Sequence, residues 1–475
     1  MTTGLSRRGF FHVAGAGIGL LALPPLVHAA PTMQTLRASA ASVDLIGADR
    51  ERPADYSATD VWAYDGAVPG PLLRGRVGER LRIRLQNDIE EPTSVHWHGI
   101  RIDNAMDGVP GLTQDPVQPG ESFDYDFELT HPGTYWYHPH MRSSQQVGRG
   151  LYGMLIVDEA KPLDVDRDLL LVIDDWRINA EGQIDIASFG NLHDAAHGGR
   201  LGNWMTVNGQ SGPVLPVKAG ERVRLRVANV ANARIFEIDT EKLGAVALSR
   251  DGHGLDKAAK PQDPVLLGPG QREDLVFDVP EGAQTIPIQD VSTGEPVTAA
   301  TLKVEPSDGA PSQRPALDTL SLPRFGTEPD TDNARVVDLV MEGGAMGGLA
   351  TANLDGESMS LQEIAQKGYV WAFNGRVGKM DYRLFEAARG ETIAIDMVNR
   401  TSWPHAMHMH GHHFRILTRD GKPATDIAFR DTVLVGPEQS VRVAFVADNP
   451  GKWMLHCHML EHQASGMVAT FAVNG

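Results

Sequence analysis

The chain has 475 residues, a formal net charge of −18 and a single cysteine. At roughly 150 residues per domain this length suggests about three domains, and so acidic a chain is a poor match for nucleic acid or an anionic membrane surface. One cysteine excludes an intramolecular disulfide and any cysteine-rich zinc or iron–sulfur site, while Gly 50 and Pro 30 favour many turns between short strands over long helices, and the 18 histidines stand out.

In chain order, the first feature is Ser6-Arg7-Arg8-Gly9-Phe10-Phe11 ahead of an apolar run from Val13 to Val27. The run is broken by Gly15, Gly17, Gly19 and Pro24-Pro25, too short and interrupted for a spanning helix. It resembles a twin-arginine export signal over residues 1–29, cut after about Ala29, which implies a periplasmic protein with no membrane segment left after cleavage.

An internal repeat organises the rest. Gly78-Glu79-Arg80, Gly220-Glu221-Arg222 and Gly390-Glu391-Thr392 each open a segment that reaches an asparagine nine residues after the glycine: Asn87, Asn229 and Asn399. All three segments alternate polar and apolar residues, the period of a half-buried strand. Upstream lie the turn signals Asp65-Gly66, Asn208-Gly209 and Asn374-Gly375. The fold class expected is all-β, three tandem β-sandwiches over 32–160, 161–305 and 335–475, with 306–334, rich in Pro, Ser and Asp, as a linker. The segment 191–202 reads as a loop with His193 and His197 in solvent.

The histidines fall at fixed places in the repeat. His96 and His98 lie nine and eleven residues after Asn87, and His408 and His410 lie nine and eleven after Asn399. The segment from Pro132 through His138-Pro139-His140 aligns with that from Pro450 through His456-Cys457-His458. The middle unit has neither pair. On a strand, residues i and i+2 share a face, so each pair aims two imidazoles at one place. Four pairs supply eight imidazoles, enough for a metal cluster of copper, zinc, iron or nickel. The alternation turns Cys457 to the opposite face from His456 and His458. With His405, His462 and Met467 nearby in sequence, two imidazoles, a thiolate and a weak thioether make the donor set of a blue-copper site. His131 and His253 read as packing or surface groups, His412 as a supporting residue, and His413 carries no assignment.

These motifs, His96-Trp97-His98-Gly99, His138-Pro139-His140, His405 to Phe414 and His456 to Met467, resemble the multicopper oxidases over essentially the whole mature chain. The resemblance implies cupredoxin-type Greek-key domains and four coppers per chain. By position, His405, Cys457 and His462 would bind a type-1 copper with Met467 axial. His96 and His408 would bind a type-2 copper. His98, His138 and His458 would bind one type-3 copper, and His140, His410 and His456 the other. The middle unit would be a spacer. Electrons from a reductant near an exposed edge of His462 or His405 would pass through Cys457 to the cluster, where dioxygen becomes water. Asp107, eleven residues after His96, resembles the family's proton-supplying acid, though an aspartate before Gly108 also suits a turn.

Two departures bear on the substrate. Gln463 stands where some bacterial members carry a proton-relaying glutamate, and the Met-rich insertion and acidic residues of cuprous oxidases have no counterpart before His405. The expectation is a monomeric, laccase-like oxidase of phenols or similar one-electron donors. A Cu(I) or Mn(II) oxidase is the alternative. The complete ligand set argues against a copper-free structural relative, and three repeats against a two-domain nitrite reductase.

Overall fold

The three repeated segments become three equivalent strands, Arg80–Asn87, Arg222–Asn229 and Glu391–Asn399. Each opening glycine, Gly78, Gly220 and Gly390, has φ between 75° and 87°, a conformation that β-carbon-bearing residues rarely adopt. The glutamate that follows bends back to accept a backbone N–H: Arg76 at 2.8 Å, Lys218 at 2.9 Å and Ala388 at 2.9 Å. The closing asparagine staples the next loop. Asn87 Nδ2 donates to the Glu91 and Val117 carbonyls, Asn229 to Arg234 and Leu267, and Asn399 to Trp403 and Gly436. Each Oδ1 then accepts the N–H two residues on, from Ile89, Ala231 or Thr401. The constant spacing from asparagine to histidine is therefore a length of chain pinned at its start.

Described in the computed structural model are residues 27–28, 33–47, 51–307, 314–425 and 428–475. They form three tandem cupredoxin-type sandwiches. Five- and four-stranded sheets pack in the first, six- and five-stranded sheets in the second, and seven- and five-stranded sheets in the third. In every unit the repeated strand runs parallel to an earlier one: Gln34–Val43, Arg167–Trp176 and Arg335–Gly343. The expected leader lies outside the described residues apart from Val27–His28, whose backbone pairs with Leu73–Arg74. Among the described residues no helix is long and apolar enough to cross a membrane. Before Arg335 the linker folds onto the second unit, where Leu320 joins Leu248 and Val276 in an apolar cluster.

One expectation needs correction. Arg80–Asn87 alternates as a half-buried strand should, but Arg222–Asn229 is buried along its whole length. Its arginine face is an interface. Arg224 bonds Asp274 at 2.7 Å and Glu159 of the first unit at 2.8 Å; Arg226 bonds Asp168 at 2.7 Å and the Thr134 hydroxyl at 2.9 Å. Arginine suits this work because its planar fork is charged at all relevant pH values and binds carboxylates two-handed. Period-two alternation marks polar against apolar faces, and carries no information that a polar face will be covered by another unit.

Burial pushes the Asp168 carboxyl up, but Arg226, Arg224 and Arg74 outweigh it and hold it at about 2. A depressed carboxyl stabilises the fold above its unfolded value near 4 and loses that contribution as pH falls toward 2. Asp168→Asn should cost about 2 kcal/mol at pH 7, seen as a lower melting midpoint. The gap to wild type should close between pH 4 and pH 2. A gap that stays constant across that range would show that charge plays no part.

Candidate metal centre

The histidine pairs occupy neighbouring strands. His96–His98 lies antiparallel to Gly133–His138, with His96 opposite His138. His405–Met409 lies antiparallel to Gly451–Cys457, with His408 opposite His456 and Met407 opposite Cys457. His140, His410 and His458 sit just past the strand ends. The first and third sandwiches bring these strands face to face. His96 stacks on His410 at 3.9 Å between ring centroids and His98 on His408 at 3.8 Å, each pair crossing between the two units. His138 and His458, at 5.3 Å, and His140 and His456, at 5.1 Å, close the ring edge-on. All eight imidazoles are buried.

Their outer nitrogens are anchored. Nδ1 of His96, His138, His408 and His456 donates to the carbonyls of Asp107, Pro139, Asp431 and Cys457 at 2.8–3.0 Å. A carbonyl only accepts, so these rings carry the proton on Nδ1 and a lone pair on Nε2. Nε2 of His96, His138 and His408 is buried without a partner, as are both nitrogens of His140 and His458 and Nδ1 of His98. Nε2 of His410 and His456 face each other at 3.1 Å. Buried lone pairs aimed at one space are a donor set that fits metal ions, with the outer N–H bonds fixing ring orientation. Burial first, then repulsion between neighbouring imidazoles, holds His98, His138, His140, His410, His456 and His458 well below the ordinary value, so they stay neutral and able to ligate.

A second donor set lies on the other face of the same strand. Cys457 Sγ is 3.8 Å from His405 Nδ1 and 3.7 Å from His462 Nδ1, and the two nitrogens are 3.1 Å apart. The outer Nε2 atoms are held by the Thr401 hydroxyl at 2.9 Å and the His197 carbonyl at 2.7 Å. Buried Met467 accepts the Cys457 N–H through its carbonyl at 3.0 Å and donates its own N–H to the His462 carbonyl at 2.9 Å. Burial pushes the thiol up to about 12; a coordinated metal would deprotonate it. The expected exposed edge is absent here. His405 and His462 are both fully buried, with Trp371 packed against them at 5.0 Å and 4.6 Å. The cover comes from 191–202, which contains the helix Leu192–Ala196 rather than a plain loop. His193 is exposed as expected, but His197 is half-buried and packs on Trp403 at 5.2 Å.

Asp107 serves both a turn and the site. It follows the short helical turn Asn104–Met106, and Gly108 after it has φ 78° and runs so close to the histidine strand that a β-carbon would lie 1.7 Å from the Val95 carbonyl oxygen. Its carboxylate accepts from His410 Nδ1 at 2.9 Å and lies 3.3 Å from His96 Nδ1, while Oδ1 has no hydrogen-bond partner. Gln463 is half-buried and its Oε1 is likewise unpartnered.

Asp431 and Arg272 carry no motif that marks them in the sequence. Asp431 accepts from His98 Nε2 at 3.2 Å through its side chain and from His408 Nδ1 at 2.9 Å through its carbonyl. Arg272, from the middle unit, grips Asp431 with two bonds of 3.0 and 2.7 Å and reaches the Thr134 carbonyl at 3.0 Å. Burial opposes ionisation of Asp431, but Arg272 and then His98 keep it well below the carboxylate range. A β-carbon at Gly270 would lie 2.9 Å from His98 and 3.2 Å from His458. The middle unit is thus more than a spacer: it supplies the cation behind the carboxylate that holds His98 and the backbone beneath two imidazoles. Glu461, buried beside His462, is also tied to this unit, accepting from Asn232 Nδ2 at 2.8 Å and the Arg200 N–H at 3.1 Å. Only tertiary contacts single out these residues.

Two sequence-family models described as multicopper oxidase match residues 46–162 and 354–475. The multicopper oxidase MmcO of Mycobacterium tuberculosis is 30% identical over 437 residues, 85% of this chain and 81% of that one. A multicopper oxidase structure from Pseudomonas thermotolerans is 33% identical, covering 94% of this chain and all of that chain, with a TM-score of 0.78. A laccase-like multicopper oxidase from the lignin-degrading Ochrobactrum sp., described as an oxidase of lignin model compounds and lignosulfonate, is 26% identical, with 96% and 100% coverage and a TM-score of 0.79. On this fold, with these converging imidazoles and this extent of similarity, the chain belongs to the multicopper oxidases, copper-dependent oxidoreductases with dioxygen as acceptor.

Proposed function

We propose a laccase-like oxidase that takes single electrons from a phenol or a similar organic reductant, holds four coppers per chain, and works in the periplasm after twin-arginine export. The observation that carries the substrate reading is a groove of about 300 Å³ beside the mononuclear donor set, lined by Leu192, His193, Ala196, Ala345, Ala365 and Val370. Its walls are almost wholly apolar, which suits an aromatic ring more than a hydrated metal ion. The cuprous alternative has one point in its favour: Met346 is 77% exposed, next to Ala345, whose carbonyl accepts from Trp403 Nε1 at 3.1 Å. One thioether is a sparse site for Cu(I).

The ligand assignment comes from the resemblance to the family, and it is supported by donor atoms that converge in the sets His98–His138–His458, His140–His410–His456 and His405–Cys457–His462. His405, Cys457 and His462, with Met467, would hold the type-1 copper, and His96 with His408 the type-2 copper. His98, His138 and His458 would hold one type-3 copper, and His140, His410 and His456 the other. Bound copper would supply one-electron redox chemistry, matching single-electron donors to the four-electron reduction of dioxygen to water. The units are 32–160, 161–305 and 335–475, joined by 306–334, with all ligands in the first and third.

The chain's own residues do the rest. His462 and His405 are kept from water by Trp371 and by the 191–202 cover. Cys457 joins the two sites, since His456 and His458 are its covalent neighbours. Asp107 holds His410 in register through Oδ2 and can carry a proton on its unpartnered Oδ1, with no glutamate at 463 to share that task. Steady-state oxygen consumption by copper-loaded protein with a phenol, Cu(I) or Mn(II) tests the substrate reading. The phenol should be turned over best, and consumption confined to a metal ion would overturn it.

Fully loaded protein should contain four coppers and absorb intensely in the visible. Cys457→Ser should lose the colour and all substrate oxidation yet keep three coppers by elemental analysis. If the variant lost every copper, the two donor sets would not be separable. Asp107→Asn should slow reoxidation by dioxygen on the order of 10²–10⁴-fold. Anaerobic bleaching by substrate, which consumes no proton at the cluster, should stay near wild type. Stopped-flow bleaching and reoxidation of one sample separate the two halves, and an unchanged reoxidation rate would return Asp107 to a purely structural role.

A further inference from the structure

The His197 carbonyl that accepts from His462 Nε2 at 2.7 Å sits on a segment that cannot place it unaided. Gly198 and Gly199 follow directly, the most freely rotating pair a chain can offer, and the next residue is Arg200. Upstream, the segment is tied to the third unit, where Trp371 Nε1 donates to the Ala195 carbonyl at 2.7 Å and Ala345 N–H to the Ala196 carbonyl at 2.6 Å. Downstream, the tie is Glu461, the chain neighbour of His462. Its Oε2 accepts the Arg200 backbone N–H at 3.1 Å, and its Oε1 accepts from Asn232 Nδ2 at 2.8 Å. Asn232 also donates Nδ2 to the Ser144 carbonyl of the first unit at 2.6 Å and takes the Leu460 N–H on its own carbonyl at 3.0 Å. A β-carbon at Gly199 would lie 2.4 Å from the Ala233 β-carbon and 3.2 Å from Glu461 Oε2, so the segment is pressed onto the carboxylate. Arg200 is anchored in the second unit, its Nε on the Ser188 hydroxyl at 2.7 Å and its guanidinium 4.2 Å over the Phe189 ring. All three units thus meet around one buried carboxylate.

We propose that Glu461 is a positioning residue: with Asn232 it holds the His197 carbonyl on His462, and through that bond the middle unit sets the reduction potential of the mononuclear copper. The inference rests on His405, Cys457 and His462 being the ligands of that copper. A carbonyl on the outer N–H of a ligand imidazole raises the basicity of the ring and fixes its orientation. A more basic donor favours the more highly charged, oxidised ion, so the intact bond lowers the potential and loosening it raises the potential. Glu461 gives up no proton and carries no electron in this role. Both of its oxygens are used, so an amide in its place has only one acceptor for the two donors, and a methyl group has none. Removing the Asn232 amide leaves the carboxylate and its charge where they are and takes away one of its two clasps, which separates positioning from the reach of the charge.

The test is a redox titration of the visible band in copper-loaded wild type, Glu461→Gln, Glu461→Ala and Asn232→Ala, with copper counted in each sample. Glu461→Ala should favour the reduced ion about tenfold relative to wild type, an upward shift of about 59 mV for a one-electron couple. Glu461→Gln and Asn232→Ala should move the potential the same way by less, with copper content retained. Asn232 lies far in sequence from every proposed ligand, so its variant decides the matter if Glu461→Ala does not fold. Equal potentials at full copper content would overturn the inference. So would shifts in the Glu461 variants with none in Asn232→Ala, since loss of the charge would then account for them. A fully loaded wild type with no visible band would overturn the ligand assignment itself and this inference with it, whereas an unchanged potential in a protein that keeps its band overturns this inference alone.

Discussion

Two strands more than three hundred residues apart in sequence press their imidazoles together, His96 on His410 and His98 on His408, at under 4 Å between ring centroids. Neither sandwich alone could hold eight imidazoles around one space, because a pleated strand offers only every second residue to a face. The molecule must therefore lock two sandwiches face to face and keep the rings neutral and turned the right way. Much of the surrounding architecture serves that constraint. The outer ring nitrogens are given to carbonyls and carboxylates, and the inner nitrogens face a buried interior.

The lock is electrostatic as well as apolar. Arg272 of the middle unit binds Asp431 of the third, which binds His98 of the first. The Arg272–Asp431 pair is fully buried. Such a pair adds little to stability relative to apolar packing, but losing one partner strands a buried charge at about 3–5 kcal/mol. The pair therefore strongly disfavours any misaligned docking of the three units. Arg224 and Arg226, buried against Glu159, Asp274 and Asp168, extend the same device across the junction of the first two units. Asp251, faced by both Asp431 and Arg272 in the same pocket, shows the cost: burial and then repulsion by Asp431 raise its carboxyl to about 7.

The set of His405, Cys457 and His462, proposed as the mononuclear site, meets the opposite demand, since in that reading an electron must come in from outside. Its imidazoles are nevertheless sealed by Trp371, Thr401 and the His197 carbonyl. The short helix over it is stitched in place by Trp371 Nε1 donating to the Ala195 carbonyl at 2.7 Å and by Ala345 N–H donating to Ala196 at 2.6 Å. A thiolate metal site benefits from such a dry, rigid shell, because exposure and hydrogen bonding around the sulfur tune its potential. The groove beside this cover is lined by Ala196, the chain neighbour of His197, whose carbonyl accepts from His462.

The sequence by itself determined the three-fold repeat, the strands that open on Gly78, Gly220 and Gly390, the pairing of histidines two apart, and the turning of Cys457 away from its neighbours. These follow from local rules, a positive φ that needs glycine, an asparagine that staples a loop, and the two-residue period of a strand, and local rules are written in contiguous residues. The roles of Asp431, Arg272 and Glu461, the sealing of His462 by the 191–202 helix, the burial of the arginine face of Arg222–Asn229 and the packing of His253 on His413 were decided only by tertiary structure. Each depends on how one sandwich sits on another. Burial and ion pairing between residues hundreds of positions apart leave no periodicity in the chain, and become visible only when the units are docked.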